Sequence, residues 1–192
     1  PVQMPERVAK VAAETVLRPL AGNRWEITSG WELCEGDKVM TDDWFNATVP
    51  GTVLTTLVDQ GVYPDPYYGL NNLAIPEDLC RKDWWYRCTL SLSEEMLDKD
   101  ALELIFNGIN YKADIWFNGV KVGNMAGAFI RGRFDITALA KPENQLYVHI
   151  YPPANPGIPH EQSPSAGGGK NGGAMCLDGP TFFCSEGWDW IP

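Results

Sequence analysis

The chain has 192 residues, 44% of them hydrophobic and 21% charged, which suits one domain with a sizeable buried core. Its formal net charge is -10, so nucleic acid and anionic membrane surfaces, which need clustered Lys and Arg, are excluded as partners. No apolar run approaches the roughly 20 residues of a membrane span.

Residues 5–18 read as either a loose arm or a short helix, because Val8, Val11, Ala12, Thr15 and Val16 recur at helical spacing. From Trp25 the texture changes. Turn signals recur about every ten residues, with short alternating runs between them, and this predicts an all-β sandwich. One helix interrupts it over Thr52–Gln60, with Val53, Leu54, Leu57 and Val58 on one side and Gly61 placed to close it. Trp84–Leu92 predicts a strand with Trp85, Arg87 and Thr89 on one side. Ala101–Phe106 predicts another, with Leu102, Leu104 and Phe106 sharing a face.

Tyr111–Phe117 alternates as well. It is followed by Asn118-Gly119 and then Val120-Lys121-Val122, which predicts a type I′ hairpin. Gln145–Tyr151 predicts a strand with Leu146, Val148 and Ile150 toward the core, and Tyr147, His149 and Tyr151 outward or toward a second layer. The stretch from Pro152 to Gly173 holds five prolines and six glycines, and too little chain follows it to form another domain. The expected layout is therefore an arm over 1–24, a sandwich over 25–151, and a loop-rich tail over 152–192 of the same domain.

The five cysteines, Cys34, Cys80, Cys88, Cys176 and Cys184, include no CxxC pair, and His149 and His160 lie far from them. No metal site is expected, and unpaired thiols are favoured over disulfides. No phosphate loop or dinucleotide fingerprint is present, so no cofactor is expected. Neither histidine neighbours a G-x-S-x-G elbow, and the acidic doublets Asp42-Asp43 and Glu94-Glu95 sit in polar stretches that read as solvated surface. No catalytic residue emerges.

The tail is different. Trp188, Asp189 and Trp190 place a carboxylate between two indoles. Indole stacks on the apolar face of a sugar ring, and a carboxylate accepts hydrogen bonds from hydroxyls or pairs with an amino group. A terminal aromatic clamp onto the sandwich explains the same residues equally well.

Several segments, in order, resemble the N-terminal domain of family 2 glycoside hydrolases. They are Val49-Pro50-Gly51-Thr52-Val53-Leu54, Pro64-Asp65-Pro66-Tyr67-Tyr68-Gly69, Trp84-Trp85-Tyr86-Arg87, the run from Gly108 to Gly119, Phe134-Asp135-Ile136-Thr137 and Gly187-Trp188-Asp189-Trp190. The second and last resemble the branch holding β-mannosidases, exo-β-glucosaminidases and mannosylglycoprotein endo-β-mannosidases. The resemblance implies a jelly-roll sandwich of the galactose-binding-like type, followed by an immunoglobulin-like domain and a TIM barrel bearing the catalytic glutamates. It also implies that Trp188, Asp189 and Trp190 help line the pocket for the sugar. The family's acid/base glutamate lies in an Asn-Glu pair, absent here; Glu143-Asn144 is the reverse, in an expected turn. Residues 177–186 lack the basic pair that comparable mannosidases carry, so a β-glucosaminide substrate stays as open as a β-mannoside.

Three functions follow. The first is an accessory domain of a retaining β-glycosidase; the second is an autonomous carbohydrate-binding module; the third is a protein-interaction ectodomain, since sandwiches serve many roles. The first two expect a carbohydrate partner. Export is the expected location, because polysaccharide lies outside cells.

Overall fold

The computed structural model describes residues 2–154. It is built of antiparallel strands with two short α-helices. In chain order these are β1 (Leu17–Leu20), β2 (Arg24–Ile27), β3 (Glu32–Glu35), β4 (Phe45–Asn46), α1 (Val53–Asp59), β5 (Trp84–Ser91), α2 (Glu94–Leu97), β6 (Glu103–Phe106), β7 (Lys112–Phe117), β8 (Val120–Ala126), β9 (Gly132–Asp135) and β10 (Glu143–Tyr151). The main sheet has six strands in the order β4-β3-β5-β10-β7-β8. β6 pairs with β9, and β1 with β2, as two smaller sheets.

Alternation explains the main sheet. Leu33, Tyr86, Cys88, Leu90, Ala113, Ile115, Phe117, Leu146 and Val148 all point to one face and are buried. They form a single core with Leu104 of β6 and Ile136 just past β9, and with partly buried Phe106 and Phe134 packed against it. Phe106 and Phe134 meet edge to face at 6.0 Å. A fully buried side chain of this size contributes about 1.5–3 kcal/mol, so this face dominates the stability. The antiparallel sheets match the all-β sandwich expected from the sequence.

The β7–β8 hairpin turns on Asn118 and Gly119, with φ values of 49° and 80°. Both lie in the left-handed region that a type I′ turn requires. Helix α1 starts where Thr52 accepts a hydrogen bond from the Thr55 N–H (3.0 Å), and ends before Gly61, whose φ is 66°. Thr56, fully buried on α1, accepts from the Thr48 N–H (3.0 Å) and hydrogen-bonds to Tyr86 of β5, tying helix to sheet. Burial pushes the Tyr86 phenol up to about 12, against a smaller opposing effect of the Thr56 hydroxyl.

The arm settles as one of its two alternatives, and one expected turn is part of a strand. Of the two alternatives for residues 5–18, the helix does not form: residues 2–16 contain neither helix nor strand, and Leu17 opens β1. The arm's polar groups find partners on the body. The Val8 N–H bonds to Gln60 O (3.1 Å), and Val11 exchanges bonds with the Asn46 side chain (2.9 and 3.0 Å). The β1–β2 hairpin spans residues 17–27, with Pro19 tolerated in a short two-stranded sheet. Glu94 and Glu95 open α2 behind the Ser93 cap and are exposed, as expected of solvated surface, whereas Glu143-Asn144 begins β10 instead of lying in a turn.

Candidate functional site

The sheet's second face, opposite the core, collects the chemistry. The register lines up Glu32, Arg87, Tyr147, Trp116 and Lys121 across five strands. A second row reads Cys34, Trp85, His149, Asp114 and Asn124. These are the outward positions of the alternating strands, so the same period that fills the core also assembles this layer.

The layer is closely paired. Trp85 stacks on His149 with ring centroids 4.1 Å apart and planes 2° apart, and His149 meets Tyr151 at 4.3 Å. His149 Nε2 hydrogen-bonds to Asp83 Oδ2 (2.7 Å), and the Asp83 carbonyl accepts from the Gly36 N–H (2.9 Å). Arg87 lies 4.0 Å over the Trp44 ring and donates to Glu32 (2.6 Å), which Lys10 of the arm also pairs (2.7 Å). Asp114 accepts from Lys121 Nζ (2.6 Å) and from the Tyr151 hydroxyl (3.0 Å).

This pairing limits the reactions the layer can perform. Burial acts to raise the pKa of Glu32, but Arg87 and Lys10 outweigh it, and the carboxyl sits below its ordinary value. At Asp114 burial is likewise outweighed, by Lys121 and Tyr151, with the same result. A general acid for glycoside hydrolysis needs a raised pKa, the opposite arrangement. The aromatic stack takes up one face of Trp85 and one of His149, and Tyr151 lies against His149 as well. The side chain of His149 is only 14% exposed and is held among Trp85, Tyr151 and Asp83, a structural role.

Cys34 and Cys88 are buried and unpaired. Burial drives the Cys34 thiol up to about 11, and burial also pushes Cys88 up. Neither is a ready nucleophile. Among the described residues no group of three His, Cys, Asp or Glu is placed to hold a metal ion.

Trp188, Asp189 and Trp190 lie outside the described residues, as do Cys176, Cys184 and His160. What the structure describes is the base from which the tail departs. β10 ends at Tyr151, and the described chain continues to Ala154. At that end of β10, the contacts of Asp83, Trp85 and Asp114 with His149 and Tyr151 fix the last turn of strand in place. Sequence reasoning had seen only that Tyr147, His149 and Tyr151 face away from the core. It missed Asp83 and Asp114, because their partners are 66 and 37 residues away.

The chain's relatives agree with this architecture. The family model described as the glycosyl hydrolase 2 galactose-binding domain-like domain matches residues 25–192. The mannosylglycoprotein endo-beta-mannosidase of Lilium longiflorum is 37% identical over 77% of this chain and 15% of its own length. The beta-mannosidase of Capra hircus is 30% identical over 96% of this chain and 21% of its own length. Among solved structures, the Amycolatopsis orientalis exo-chitosanase CsxA superimposes with a TM-score of 0.60 at 26% identity, over 75% of this chain and 17% of that one. The chain thus spans about a fifth or less of these relatives. With a family-model match that runs from Trp25 in β2 to residue 192, this chain belongs to the glycosyl hydrolase 2 galactose-binding domain-like family.

Proposed function

We propose that the chain is the N-terminal accessory, sugar-binding domain of a retaining β-glycosidase that acts on β-mannosides or β-glucosaminides. In this reading Trp188, Asp189 and Trp190 help line the substrate pocket, and the catalytic glutamates stand on a downstream barrel, beyond an immunoglobulin-like domain. The observation that carries it is the length relation: relatives named as mannosidases and glucosaminidases match this chain over only 11–21% of their own length. The described carboxylates support it, because Glu32 and Asp114 are held ionised by cations and so are poor proton donors. His149 takes up one face of Trp85, which leaves less ring surface on that sheet face for an autonomous binding module. Export belongs to the same proposal, since polysaccharide substrates lie outside cells; cell fractionation checks it, and a purely cytosolic protein contradicts it.

Asp189→Ala in the full-length enzyme tests the site. A carboxylate that contacts sugar contributes over ~1.4 kcal/mol in the transition state, so kcat/KM falls at least about tenfold. Unchanged kinetics remove Asp189 from the pocket.

A further inference from the structure

Most exposed apolar side chains in the described residues stand singly or, like Phe129 and Ile130, in a pair, but one group holds four. Tyr67, Tyr68, Leu70 and Leu73 are 68%, 63%, 58% and 67% exposed within seven residues. The surrounding run, Pro66 to Ile75, contains no charged residue, in a chain whose net charge is -10. Isolated exposed apolar residues are ordinary; a contiguous uncharged group of large ones marks an interaction surface.

The segment is held in shape without a partner. The Tyr67 N–H donates to Asp65 Oδ1 (2.9 Å), Asn71 N–H to the Tyr68 carbonyl (3.1 Å), and Leu73 N–H to the Leu70 carbonyl (3.1 Å). Asn71 is 4% exposed, and its Oδ1 accepts from the Gln3 N–H (3.2 Å). Pro64 is fully buried. The exposed side chains are therefore presented on a fixed base, which lowers the entropy lost on docking.

Composition identifies the occupant. Interface cores are poor in charge and rich in Tyr, and aliphatic side chains pack against protein. A sugar platform would use ring faces, and Leu70 and Leu73 offer none. The curated relatives carry five to nine times this chain's matched length, so a protein surface is available in the same polypeptide. We propose that Tyr67, Tyr68, Leu70 and Leu73 are the surface on which this domain seats against another folded domain of its own chain. This rests on the reading of the chain as part of a longer glycosidase.

Photo-crosslinking of the full-length protein tests it. A benzophenone amino acid replaces Tyr67 in one sample and Leu73 in another, at protein concentrations too low for self-association, and adducts are mapped by mass spectrometry. The expected result is that most adducts from both positions are intramolecular and fall outside residues 1–192. Adducts confined to residues 1–192, adducts between two copies, or no protein adduct at all overturn it. Loss of adducts only when oligosaccharide is added, with none mapping to another domain, assigns the surface to sugar and overturns it too. Hydrolysis of an aryl β-glycoside by the same sample reads the accessory-domain proposal separately. Activity without interdomain adducts sinks this inference alone, and adducts without activity sink only the other.

Discussion

Asn144 should be among the costliest polar residues to remove. It is 1% exposed and sits second in β10, opposite Leu90 of β5. Its Oδ1 accepts from Asn118 Nδ2 (2.9 Å) and from the Lys141 N–H (2.8 Å), and its Nδ2 donates to the carbonyls of Leu90 (3.2 Å) and Lys141 (2.5 Å). One side chain thus joins a central strand, the loop before β10 and the β7–β8 turn. Asn144→Ala removes four hydrogen bonds. The Leu90 carbonyl keeps only the ladder bond from its register partner, and each lost bond costs about 0.5–1.5 kcal/mol. Asn118 keeps its bond to the Leu139 carbonyl (2.8 Å), and the Lys141 groups lie nearer solvent, so they lose less. The sum is about 3 kcal/mol, a large share of a typical ~5–15 kcal/mol stability. At about 2–4 °C per kcal/mol for a domain of this size, Tm falls by roughly 6–12 °C. Urea and thermal melts of wild type, Asn144→Ala and the isosteric Asn144→Asp measure it, with the aspartate variant at least as destabilised as the alanine, because an acceptor oxygen then faces the Leu90 and Lys141 carbonyls where a donor stood. A drop of less than about 1 °C for the alanine variant would refute the network's role.

Three further outcomes are expected. Glu32 and Asp114 have folded pKa values below their ordinary ones, so they stabilise the fold above the usual carboxyl range, and that contribution is lost as pH falls through the folded values. The double variant Glu32→Gln/Asp114→Asn should therefore lose less stability than wild type when acidified below about pH 4, and an identical acid limb would contradict the pairing. Cys34 and Cys88 should stay unlabelled by iodoacetamide in the native protein at pH 8 and react on unfolding, as read by peptide mapping; rapid native labelling of either would contradict their burial. A Cβ on Gly61 would meet the Glu6 carbonyl oxygen at 2.0 Å, at a φ of 66°. Gly61→Ala should cost about 1–3 kcal/mol and open the arm to proteolysis near residues 6–10, whereas an unchanged cleavage pattern would show that the arm does not depend on this contact.

The sequence made β5, β7 and β10 legible because each is long enough to show a clean period of two, and Asn118-Gly119 marked the turn into β8. Helix α1 was equally plain, with Thr52 and Gly61 marking its ends. Among the short elements, β6 was legible within Ala101–Phe106 because Leu102, Leu104 and Phe106 share a face, but β3, β4 and β9 were not, having only two to four residues each. The arm misled in the opposite way: its helical spacing is real, but its backbone bonds to Gln60 and Asn46, partners that no local pattern can reveal. The candidate site was legible only as residue types. Trp188, Asp189 and Trp190 suggested sugar chemistry, while the layer beneath the tail's departure, from Asp83 through His149 to Asp114, depends on contacts that only the folded sheet brings together.

The central claim is that this chain contributes to a glycosidase without performing the chemistry. The most direct measurement is hydrolysis of aryl β-D-mannoside and aryl β-D-glucosaminide by the purified 192-residue chain and by the full-length protein, under the same conditions. The account predicts no turnover above background from residues 1–192 and clear turnover from the longer protein. Turnover by the 192-residue chain, abolished by substitution of its own carboxylates, would contradict it.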